Sequence, residues 1–159
     1  MEQYLIPNKI LWKWGKQFDI VSPQSEQCCC FTKGYGRYVE GTGSILNPEN
    51  MNILEYYAKY EKLKGDSQNQ ELFNQNQNQN ENERNENDSG IKNPLLDLKL
   101  RYFTPREIAN LMAFPQDFKF PPQLTTKQKY KVLGNSVNVK MISILLKYLF
   151  DDTNNNQEN

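Results

Sequence analysis

The chain has 159 residues, 37% of them apolar, which suits one modest domain with one core. Its 19 basic and 19 acidic residues cancel, and the absence of histidine excludes histidine-based catalysis and every Cys/His zinc pattern, so no metal is expected. No run of roughly 18 apolar residues predicts a membrane span, and Met1 to Ile10 lacks the basic, apolar and small-residue sequence of a signal peptide.

In chain order, Tyr4 to Trp14 predicts a mostly apolar helix that stops at Gly15. Phe18 to Val21 predicts a short strand ended by the Ser22-Pro23 turn, and Cys28 to Thr32 predicts another. There the three adjacent cysteines read as small apolar strand residues, with no basic neighbour to activate a thiolate. Adjacent cysteines cannot staple distant segments, so a reducing compartment is expected, cytoplasmic or nuclear. Lys33 to Gly43 holds four glycines and reads as loop. Asn47-Pro48 predicts a helix start, with asparagine as N-cap and proline at N1, and that helix runs to about Lys64.

From Gly65 to Gly90 the chain is low-complexity and rich in Asn and Gln, which predicts a disordered insertion over 66–90. Residues 66–90 hold six acids and one base, and the tail 151–159, also expected to be disordered, adds three acids. The remainder carries 18 bases and 10 acids, a net of +8. That charge is compatible with a polyanionic partner or with a solvated basic surface.

After the insertion, Leu96, Leu98, Leu100 and Tyr102 alternate with Asp97, Lys99, Arg101 and Phe103, the period of a half-buried strand. Thr104-Pro105-Arg106-Glu107 is a capping box opening a helix, with Glu107 as its acid and Arg106 free to hold a loop. Thr125 to Gln128 repeats that spacing, and Gly134 predicts the helix stop. Asn135-Ser136 then predicts the cap of a last helix ending at Phe150. Its polar stripe is only Lys140, Ser143 and Lys147, so it must be covered on most sides by a dimer mate or by another domain.

Three blocks of this sequence resemble a known family. Cys30 to Ser44, containing Cys-Phe-Thr-Lys-Gly-Tyr-Gly, resembles the target-recognition signature of the eukaryotic tRNA cytosine-5 methyltransferases, which are DNA-methyltransferase-like in fold. Arg101 to Leu111 followed by Phe114-Pro115 resembles that family's ninth conserved block, and Gly134 to Val139 resembles its tenth. The resemblance implies an α+β fold. A small mixed target-recognition domain of short strands and loops (1–65 and 91–134) is followed by a helix (135–150) that returns to a doubly wound α/β catalytic domain. Neither the Pro-Cys nucleophile nor the Glu-Asn-Val block of that domain is here, since no proline precedes a cysteine and Glu49-Asn50 is followed by Met51.

In that family a cysteine thiolate adds to C6 of a flipped cytosine, and C5 then takes the methyl of S-adenosylmethionine. The resemblance implies that this chain supplies recognition rather than the nucleophile, no catalytic residue, and no methyl transfer by itself. Its expected partners are tRNA near the anticodon loop and the N-terminal catalytic half. Thr32, Lys33, Tyr35 and Arg37 are the first candidates for RNA contact, since a basic glycine-rich loop can approach phosphates and a tyrosine can stack on an unpaired base. Arg101 and Tyr102 form a second set. Asn135 and Ser136, expected at a helix N-terminus, border S-adenosylmethionine in the resembled family. The competing readings are the same part of a DNA cytosine-5 methyltransferase acting on duplex DNA, and a non-catalytic RNA-binding or assembly module.

Overall fold

A computed structural model describes the backbone of residues 1–65 and 92–155 and the side chains through Phe150. The predicted insertion over 66–90 lies outside the described residues. The chain folds as two compact units, one from residues 1–29 and 43–102, the other from residues 30–42 and 103–159.

The first unit is built on a small mixed sheet of three two-residue strands, β1 (Ile20–Val21), β2 (Ile45–Leu46) and β3 (Arg101–Tyr102), in that spatial order. β1 and β2 run parallel, with Ile20 opposite Ile45, and β2 and β3 run antiparallel, with Leu46 opposite Arg101. Helices α1 (Asn8–Trp14) and α2 (Ile53–Gly65) complete it. The Trp12 and Tyr60 rings lie 5.5 Å apart, and the Tyr60 hydroxyl donates to the Trp12 carbonyl. Leu11, Leu95, Leu98 and Leu100 of this unit are fully buried. Full burial is worth about 1.5–3 kcal/mol for each such side chain.

Several expectations for this unit need correction. The helix expected from Tyr4 starts only after Pro7, because a proline drives the residue before it out of helical geometry. Asn47 is not a helix cap: its side-chain amide donates to the Met51 carbonyl, and Asn52 instead accepts from the Leu54 amide at the start of α2. The strand expected over Leu96 to Phe103 forms only at Arg101–Tyr102, as β3. Pro94–Leu98 is a 3-10 helix capped by Asn93, whose side chain accepts from the Leu95 amide. Three residues per turn put Leu95 and Leu98 on one buried face, and the left-handed Lys99 (φ 47°) ends it. Cys28 to Thr32 forms no strand either, and all three cysteines are exposed. The Cys29 amide donates to the Ser44 hydroxyl, and hydrogen bonding to Asp19 pushes the Cys29 thiol pKa up.

The second unit holds α3 (Pro105–Leu111), α4 (Thr126–Leu133) and α5 (Val139–Asn155). Both capping boxes form as expected: Thr104 with Glu107, and Thr125 with Gln128, each bonding reciprocally. α3 ends in a Schellman turn, with the Phe114 amide donating to the Ala109 carbonyl and the Ala113 amide to that of Asn110. Ala113 sits there at φ 57°, a left-handed position occupied by a residue with a Cβ. Arg106 holds the loop that follows, donating to the carbonyls of Phe118 (2.8 Å) and Pro115 (3.2 Å), the loop-holding role its position suggested.

The last helix departs from expectation at both ends. Asn138, not Asn135 or Ser136, caps α5, its side chain accepting from the Met141 amide at 3.1 Å, and the helix continues past Phe150 to Asn155. Asn138 also donates to the Leu111 carbonyl, and the Val139 amide to that of Met112, so the start of α5 is tied to the end of α3.

Candidate functional site

The loop from Cys30 to Thr42 is shaped by its own backbone. The Thr32 amide donates to the Thr42 carbonyl, closing the loop, and the Arg37 and Tyr38 amides both donate to the Gly34 carbonyl. Gly36 turns the chain at φ +73°, a conformation that disfavours any side chain, and its α-carbon faces the Tyr130 ring.

Tyr35 anchors this loop. Its ring meets those of Phe31 and Tyr130 edge to face, each at 5.0 Å, and Phe31 in turn meets Phe103 at 5.2 Å. The Tyr35 hydroxyl accepts from the Phe103 amide at 2.8 Å, and the Tyr130 hydroxyl donates to the Phe103 carbonyl at 2.7 Å. The expected stacking role of Tyr35 therefore needs correction. At 3% exposure its ring is committed to the core, and no face is open to a nucleobase.

The loop is also seated on the turn that follows α4. A Cβ on Gly134 would lie 2.1 Å from both the Lys33 nitrogen and the Thr32 carbonyl carbon. Gly134 has an ordinary right-handed backbone (φ −69°), so the close approach of two backbones, not a left-handed helix stop, demands glycine here. The turn thus brings Asn135 and Ser136 into one unit with Thr32, Lys33 and Arg37.

The amides of Asn135 and Ser136 are not free helix-terminal donors, because they donate to the Val132 and Leu133 carbonyls. The exposed Asn135 amide group and the half-buried Ser136 hydroxyl are what this turn can offer a polar ligand. On the loop, Lys33 and Arg37 are exposed and Thr32 is half-buried, its hydroxyl accepting from the Gly34 amide. Sequence reasoning missed Tyr38, which is 57% exposed, with the Arg37 guanidinium 5.1 Å from its ring centre. Nothing in the local sequence separates Tyr38 from Tyr35. Only burial does.

Arg101 and Tyr102 belong to the first unit and are built into β3. Arg101 is 7% exposed and donates to the Tyr102 carbonyl, and burial pushes the half-buried Tyr102 hydroxyl pKa up. Both serve the sheet, which leaves Arg101 little surface for a phosphate.

Residues 15–151 match the profile of the C-5 cytosine-specific DNA methylases. The chain belongs to that family. It is 41% identical over 152 residues to a Homo sapiens protein named tRNA (cytosine(38)-C(5))-methyltransferase, a match spanning 95% of this chain and 33% of the relative. A Spodoptera frugiperda protein of the same name is 40% identical over 152 residues, spanning 94% of this chain and 39% of the relative. A Dictyostelium discoideum protein named DNA (cytosine-5)-methyltransferase is 38% identical over 148 residues, spanning 93% of this chain and 30% of the relative. Among solved structures, the Schizosaccharomyces pombe Dnmt2 methyltransferase superposes with a TM-score of 0.66 at 36% identity, over 96% of this chain and 39% of that one. This C-5 cytosine methylase chain therefore spans about a third of the length of the curated relatives it matches. No helix among its described residues is long and apolar enough to cross a membrane.

Proposed function

We propose that this chain is the target-recognising part of a tRNA cytosine-5 methyltransferase and works with a catalytic domain that carries the nucleophile. The observation that carries this reading is the similarity to tRNA (cytosine(38)-C(5))-methyltransferases over nearly all of its length. The site is consistent with it: exposed Lys33 and Arg37 sit on a loop whose backbone is fixed by Gly134 and by the Tyr35 anchor. Basic side chains on a rigid loop can meet backbone phosphates, and binding does not first have to order the loop.

In this reading Asn135 and Ser136 border the cofactor. An exposed carboxamide and a hydroxyl are suited to the polar groups of S-adenosylmethionine, which when bound supplies the methyl group. No proline in the chain precedes a cysteine, so the thiolate that attacks the base comes from the catalytic domain. α5 is the contact with that domain. From Val139 to Phe150 every residue is exposed, with Leu145 at 57% and Ile144 at 53%. An apolar patch of that size marks an interaction surface.

Duplex DNA is the second reading, favoured by the Dictyostelium discoideum relative named as a DNA methyltransferase. Titrating the chain with unmodified tRNA and with duplex DNA at matched salt separates the two. Tighter binding to tRNA supports the proposal, and equal or tighter binding to duplex DNA contradicts it.

A further inference from the structure

The recognition loop carries two tyrosines, and the fold gives them opposite roles. Tyr35 is sealed in the core, its hydroxyl accepting from a buried amide. Tyr38 is 57% exposed, yet its backbone is fixed at both ends. Its amide donates to the Gly34 carbonyl, and its carbonyl accepts from the Thr42 hydroxyl at 2.8 Å, Thr42 itself being buried. Glycine at 34 lets the ring lie close to the loop, since a Cβ there would come within 2.9 Å of the ring edge. The Arg37 guanidinium lies 5.1 Å from the ring centre.

An aromatic ring held in place but left in solvent loses little conformational freedom when a partner arrives. Tyrosine rings and arginine guanidinium planes are both side-chain surfaces on which unpaired bases stack. Lys33 and Arg37 supply positive charge on the same loop, against the single exposed acid Glu40.

We propose that Tyr38, with Arg37 laid against it, is the platform on which an unpaired RNA base next to the target stacks. This rests on the RNA-recognition reading above. It assigns register to Tyr38, while Lys33 contributes the sequence-independent phosphate attraction.

The test is a binding titration of the 159-residue chain with unmodified tRNA and with a blunt RNA duplex that has no unpaired bases, across a salt series. Tyr38→Ala is expected to weaken tRNA binding about tenfold and to leave duplex binding and the salt slope unchanged. Tyr38→Phe keeps the ring and should stay within about twofold of wild type. Lys33→Ala should weaken both ligands and lower the salt slope by about one. The thermal unfolding midpoint should be the same for both Tyr38 variants, because the side chain is exposed. The proposal is overturned if Tyr38→Ala binds tRNA as wild type does, if it weakens duplex binding equally, or if Tyr38→Phe loses as much as Tyr38→Ala. A wild-type chain with no preference for tRNA over the duplex overturns the RNA-recognition reading itself, a different outcome from a tRNA-binding chain indifferent to Tyr38.

Discussion

Tyr35 and Tyr130 grip the backbone of one residue, Phe103, on the two sides of its α-carbon. One hydroxyl accepts from the Phe103 amide and the other donates to the Phe103 carbonyl, while the two rings meet edge to face at 5.0 Å. Tyr35 comes from the loop Cys30 to Thr42, Tyr130 from α4, and Phe103 from the segment entering α3. Removing either hydroxyl leaves one buried backbone group without that partner. Tyr35→Phe and Tyr130→Phe should each cost about 1–3 kcal/mol, read as a lower urea midpoint at constant slope. An unchanged midpoint for both would show that the paired grip does not hold the loop.

Gly134→Ala tests the seat of the loop. The new methyl would have to displace backbone atoms of Thr32 and Lys33, not the end of a flexible side chain. Overpacking of this kind costs about 1–3 kcal/mol or more, and here it also moves the residues proposed to meet RNA. Loss of both stability and tRNA affinity is expected. Gly41→Asn is the control: that glycine has left-handed backbone and open space around it, and asparagine tolerates the conformation. If Gly134→Ala matched Gly41→Asn, the close approach would carry no weight.

Ala113 should be improvable. It occupies the left-handed position of the Schellman turn that ends α3, where a Cβ is unfavourable by about 1–2 kcal/mol. Glycine relieves that strain and gains some freedom in the unfolded chain, so a net stabilisation of about 0.5–1 kcal/mol is expected for Ala113→Gly. Thermal unfolding reads it directly, and a lower midpoint would contradict the strain.

Alkali should loosen the first unit through Tyr60. Burial pushes its pKa up to about 12, above the ordinary tyrosine value near 10. Between those values the unfolded chain releases the proton while the folded chain keeps it. Stability from this group is therefore full below about pH 10 and is lost as pH rises toward about 12. Tyr60→Phe should flatten that part of the pH–stability curve, at the cost of the hydrogen bond to Trp12. An equal slope in wild type and variant would remove Tyr60 as the cause.

Much of the second unit was legible in the sequence, because capping boxes are local chemistry: Thr104 with Glu107 and Thr125 with Gln128 need only a spacing of three. Expectation and structure part where a second local signal or a tertiary contact overrides the pattern. The leucines from Leu96 onward alternate like a strand, but the Asn93 cap and Pro94 start a 3-10 helix whose three-residue period buries Leu95 and Leu98 instead. Asn135-Ser136 has the composition of a cap, yet both amides are taken by α4 carbonyls and Asn138 does the capping. Tyr35 and Tyr38 are equivalent in any local reading, and only the packing of Phe103 and Tyr130 decides which ring is buried.

The proposed role has this chain recognise tRNA and complete a methyltransferase by docking α5 on a catalytic domain. Transfer of labelled methyl from S-adenosylmethionine to unmodified tRNA tests this, measured for the chain, for the part of the Spodoptera frugiperda relative outside the match, and for the two co-expressed. Transfer by the pair but by neither part alone is the expected result. It should be abolished by Leu145→Asp on the apolar face of α5 and kept by Lys140→Ala on its polar stripe. Methyl transfer by this chain alone, or a co-expressed pair that transfers equally well with Leu145→Asp, would contradict that role.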